Sequence, residues 1–173
     1  MFSYEIIDLT SFWNIWYWIV VVIAWSMTAH WTLGVPYDAV VSADQHGGVF
    51  AEQCESLAYI NAQRMVYYFE KSGVVIIGFV AFFMGGIAAA GFYLGVEFFQ
   101  ALFVLLAPLL LPVFFSVRLA FFLKNSQPVG AELRKLIYRR RLWNQVIGMF
   151  AIMIASLSGI VHYLVDRGLI LQG

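Results

Sequence analysis

Few residues in this chain have the chemical reach to do more than pack. His30, His46 and His162 are its three histidines. A haem or metal held between helices wants two imidazoles at matching depth. His30 and His162 fall near opposite ends of two apolar segments, so they cannot share one ion. His46 lies beside Gly47 and Gly48 and can approach His30, but no carboxylate at ligand spacing completes a site. The expectation is interfacial histidines, with a single axial ligand to haem or pigment left open for His30 or His162. Cys54 is the one cysteine. It excludes an intrachain disulfide and a cysteine-held cluster or structural zinc, and reads as a small apolar residue on a helix face. Arg118 is the one charge well inside an apolar run, where ionisable residues are functional suspects. Its long side chain can reach toward headgroups near Lys124; a buried ion pair or anion contact is the rival reading. Glu97 sits at a turn. No Asp or Glu stands in the middle of an apolar run, which weighs against a proton relay. Neither catalytic residues nor a metal site are expected.

The segments carrying these residues are made for lipid. Of 173 residues, 62% are hydrophobic and only 12% charged, with net charge zero. Soluble domains hold about a quarter charged residues, so too little polar surface remains to cover a large soluble core. A crossing helix needs about 20 mostly apolar residues. Four runs qualify: about 12–33, 74–95, 98–123 and 143–164. The stretch 74–123 is too long for one crossing, and Gly91, Gly95 and Glu97 place a tight turn in its middle. The expected fold is all-α, one membrane domain with a bundle of four transmembrane helices and short amphipathic helices in segments 36–72 and 124–142. Gly34-Val35-Pro36 ends the first helix, and His46-Gly47-Gly48 marks a break. The pattern turns helical from Phe50 to Lys71, either along the membrane surface or as an extension of the second span. Pro128 suits the first turn of a helix reaching about Arg141. The N-terminus lacks the basic region and cleavage site of a secretory signal.

Charge placement orients the chain. Lys124, Arg134, Lys135, Arg139, Arg140 and Arg141 crowd one linker, and Arg64 and Lys71 lie in the other large one. By the positive-inside rule both are cytoplasmic. Both termini and the turn at Gly95 then lie outside with Glu5, Asp8, Glu97 and Asp166. Arg134, Lys135, Arg139, Arg140 and Arg141 are expected to contact anionic lipid, each adding about 1 kcal/mol, or an acidic partner.

Small residues recur at spacing four. The second span holds Ala81, Gly85 and Ala89, with Gly86 and Ala90 beside them; the fourth holds Ala151, Ala155 and Gly159. Such rows let helix backbones approach closely. The second and fourth spans are expected to pack along them within the monomer; the rival places a row against another subunit or a flat apolar molecule. Pro108 and Pro112 should bend the third span. Trp13, Trp16, Trp18 and Trp31 suit interfacial belts, with Trp25 near mid-depth.

The stretches Ile7 to Trp18, Ala29 to Asp38 and Gly95 to Phe98 resemble a group of small four-helix membrane proteins of photosynthetic and marine alphaproteobacteria. These often carry the label "component of SufBCD complex". The resemblance implies a bacterial inner-membrane setting and brings no catalytic residues with it. The iron–sulfur role in that label finds no support in one cysteine and no P-loop pattern. The leading expectation is a non-catalytic accessory, assembly or scaffold subunit on a larger respiratory or photosynthetic membrane complex. The alternative is a homo-oligomeric channel or small-solute transporter, and the third reading is a redox subunit. No cofactor is predicted, with pigment, haem and quinone left open. Partners are the lipid bilayer and other membrane subunits or a second copy, with no nucleic acid.

Overall fold

A computed structural model describes residues 14–166. Expectations that rest on Glu5, Asp8, Phe12, Trp13 and Arg167 lie outside the described residues, as does the side chain of Asp166. The described fold is helical. The chain runs α1 (Ile15–His30), a two-stranded hairpin β1 (Trp31–Thr32) and β2 (Val35–Pro36), α2 (Tyr37–His46), α3 (Gly48–Ala88), α4 (Glu97–Ser126) and α5 (Gly130–Asp166). Among the described residues three helices are long and apolar enough to cross a membrane: α3 with the π-helical turn that ends it, α4 and α5.

Asn14 starts α1 by accepting from the Trp16 amide at 3.0 Å, which satisfies one of the orphan donors of the first turn. The helix stops at His30, earlier than expected, because the chain turns into the hairpin. Leu33 and Gly34 both hold positive φ, 54° and 70°, the pattern of a tight two-residue hairpin turn. Burial of the Leu33 side chain offsets its strained backbone. Asn61 donates to the Gly34 carbonyl at 3.1 Å, and a Cβ on Gly34 would meet that same side chain.

The break at His46–Gly48 is present, with Gly47 and Gly48 at positive φ. Beyond it the segment extends the second span, the second of the two expected arrangements, while the expectation of separate short helices needs correction. Segment 48–71 is the lower half of α3, a single helix of 41 residues, and segment 130–141 is the start of α5. No glycine, proline or cap interrupts either junction strongly enough to outweigh continued hydrogen bonding. The one short free-standing helix among the described residues is α2. A π-helical turn at Ala89–Tyr93 and Gly95 at φ 72° reverse the chain into α4. Gly91 lets the backbones meet there: Gln100 donates to its carbonyl at 2.7 Å, and a Cβ would strike the Gln100 amide nitrogen at 2.9 Å.

Two cores result. One end is a head in which Val35, Val40, Cys54, Ala58, Ala62 and Val66 pack on Ala120, Leu123, Leu133 and Ile137. Each fully buried leucine there contributes about 2 kcal/mol. The other end is a stem in which α1, α4 and α5 meet around Val21, Trp25, Leu105 and Ala151. Ala120 and Leu123, at the inner end of the expected third span, are buried in the head core. Polar contacts pin the α4–α5 connection to α3. Tyr59 donates to the Pro128 carbonyl at 2.6 Å, and Glu55 accepts from the Gly130 amide at 2.8 Å, at the start of α5.

Candidate functional site

The register of α4 against α5 builds a cleft of about 700 Å³ where head meets stem. Phe115, Arg118 and Phe122 recur at helical spacing on α4. Leu136, Arg139, Arg140 and Trp143 do the same on α5. Its walls are apolar and aromatic apart from three guanidinium groups. Arg140 is the anchor. It is 9% exposed. Its Nη2 donates to the Pro112 carbonyl at 3.1 Å, and its guanidinium stacks 4.7 Å from the Phe115 ring centre. Its Nε is buried with no partner among the described residues. Burial pushes the group down to about 10, which leaves it charged at neutral pH. Arg118 and Arg139 stand exposed at the rim. The ion pairs among the described residues join His30 to Asp38, Lys124 to Glu70 and Arg134 to Asp44; no carboxylate pairs with Arg118, Arg139 or Arg140. Three positive charges in an apolar cleft without an internal counter-charge favour an external anion.

The basic linker is not one surface. Arg134 binds Asp44 within the head, and Lys135 is exposed. Arg141 donates from Nε to the Ala29 carbonyl at 3.1 Å and lies 3.5 Å from the Tyr37 ring centre. Together with Asn144, which donates to the Thr28 carbonyl at 3.1 Å, it satisfies the last carbonyls of α1. Arg134 and Arg141 thus make internal ties, and Arg118 joins Arg139 and Arg140 along one cleft.

The small-residue rows also part. Ala151, Ala155 and Gly159 are buried, and Ala151 belongs to the stem core with α1 and α4. Ala81, Gly85, Gly86 and Ala89 are exposed and Ala90 is half-buried; a Cβ on Gly85 or Gly86 would meet nothing within 4 Å. The expected packing of the second span on the fourth is thus corrected: Ala151 packs with α1 and α4, and Gly148 on α5 makes room for Trp25, since its Cβ would lie 2.8 Å from the indole.

His30 Nε2 is 4.0 Å from Asp38. His46 sits at the far end of α2, its Nδ1 3.3 Å from the Ser42 carbonyl. His162 Nδ1 is 3.0 Å from the Ser158 carbonyl one turn back. Among the described residues no three His, Cys, Asp or Glu side chains converge on a common point. Glu97 is half-buried in the first turn of α4, where a carboxylate complements the helix dipole. Sequence reasoning missed Phe115, Phe122 and Trp143 as partners of the arginines. Their three-and-four spacing was a usable signal once α4 and α5 were treated as antiparallel neighbours. Comparison with protein-family models, with curated proteins and with solved structures finds no match to this chain.

Proposed function

We propose that the chain is a bacterial inner-membrane protein that crosses four times, with both termini periplasmic, and acts as a non-catalytic accessory or scaffold subunit of a larger membrane complex. The run 12–33 supplies the fourth crossing, and the head with its basic residues lies in the cytoplasm. The observation that carries the reading is the open face of α3. Helix faces turned to lipid gain nothing from small residues, whereas close helix–helix approach requires them. Ala81, Gly85, Gly86 and Ala89 are exposed while the equivalent row on α5 is occupied. A foreign transmembrane helix is the natural cover for that face.

Purification in mild detergent followed by native mass measurement tests this. The expected species exceeds the 19.6 kDa of the chain and contains other membrane subunits. Gly85→Leu combined with Ala81→Leu should release the partner while the isolated chain stays folded. A chain that runs alone at monomer mass in every mild detergent refutes the reading.

A further inference from the structure

The cleft between α4 and α5 carries an inference separate from the partner face. We infer that it is a binding site for one anionic phospholipid, whose phosphate is held by Arg118, Arg139 and Arg140 and whose acyl chains leave the cleft past Phe115 and Trp143. Four observations converge. Arg118, Arg139 and Arg140 all line one cleft, and among the described residues no carboxylate pairs with them. Arg140 is nine-tenths buried, held in place by the Pro112 carbonyl and the Phe115 ring, with Nε lacking a partner. A guanidinium fixed in this way holds its positive charge in place for a phosphate at the cleft. The rest of the lining is apolar and aromatic, which a free phosphate cannot use and an acyl chain can.

The level of the cleft selects a membrane source. Arg118 closes the apolar stretch of α4 that starts at Phe98, and Arg139 and Arg140 immediately precede the apolar stretch of α5 that starts at Leu142. The charges therefore lie at headgroup depth, on the cytoplasmic side, and Phe115 and Trp143 lead from them toward hydrocarbon. The inference rests on the membrane setting and not on the existence of a partner subunit.

The test is thermal unfolding of the delipidated, detergent-purified chain titrated with phosphatidylglycerol, phosphatidylcholine or inorganic phosphate. Phosphatidylglycerol should raise Tm saturably. Arg118→Gln combined with Arg139→Gln, both at exposed positions, should weaken the half-saturating concentration at least tenfold with the lipid-free Tm unchanged. Arg140→Lys should keep the charge yet also weaken binding, because the Pro112 and Phe115 contacts that fix the guanidinium are lost. Lys135→Gln, outside the cleft, should leave the titration as it was. Equal stabilisation by phosphatidylcholine, or by inorganic phosphate at the same concentration, overturns the proposal. So does a double variant that titrates like the parent. Native mass of the same preparations reports the partner question independently.

Discussion

At the scale of single residues, space and burial decide outcomes more than residue type does. Gly148 and Gly85 make the contrast. Alanine is about 1 kcal/mol better than glycine inside a helix, and nothing lies within 4 Å of a Cβ at Gly85. Gly85→Ala should therefore leave the isolated chain unchanged or slightly more stable. At Gly148 the same methyl meets the Trp25 ring at 2.8 Å, and overpacking of that kind costs about 1–3 kcal/mol. Gly148→Ala should lower Tm, read by thermal unfolding in detergent. Cys54 offers a second check. It is 2% exposed, and burial pushes its thiol up, with Arg134 opposing more weakly. The thiolate is the reactive form, so maleimide labelling at neutral pH should be slow in the native protein and fast in SDS. Rapid native labelling would contradict the packed head. Cys54 was legible in the sequence as a residue on an apolar helix face. Arg141 was not legible as a cap for α1, because nothing local ties it to Ala29.

At the scale of elements, caps and ties fix how the helices meet. Glu55 accepts from the Gly130 amide, and loss of such a helix-start acceptor costs about 1 kcal/mol. Glu55→Ala should lower stability by that order, measured by denaturant unfolding of the head or by proteolysis at the α4–α5 connection. Lys124 and Glu70 pair at 2.6 Å but are about half exposed. Pairs of that kind are worth less than about 1 kcal/mol, so Lys124→Met should leave Tm nearly unchanged. The apolar runs, the turn at Gly95 and the break at His46–Gly48 were all readable from residue patterning. The burial of Ala120 and Leu123 against α3 and α5 was not, because it depends on how distant helices pack and no local pattern encodes that. The candidate site was half visible for a related reason. Arg118, Arg139 and Arg140 stood out individually, but their meeting depends on the register between two helices, which no local pattern encodes.

At the scale of the whole molecule, the division into head and stem makes a topological prediction. A reporter fused in the connection 127–129, between α4 and α5, should read as cytoplasmic, since Lys124 and five basic residues of α5 flank it. Periplasmic signal from that fusion would invert the orientation argued above and move the arginine cleft to the other leaflet.

The position of those arginines has a mechanical corollary. On the proposed topology a guanidinium collar cannot sink into hydrocarbon cheaply, which would anchor one rim of the protein to the surface. From that rim, α4 has about 20 apolar residues, roughly 30 Å, before it reaches the reversal at Gly95. A bilayer thinner or thicker than this must be accommodated at the opposite rim, by tilt of the stem or by distortion around the irregular π-turn. Membrane thickness would then act on the molecule as a load applied at one end, with Gly91 and its tie to Gln100 as the joint that bears it.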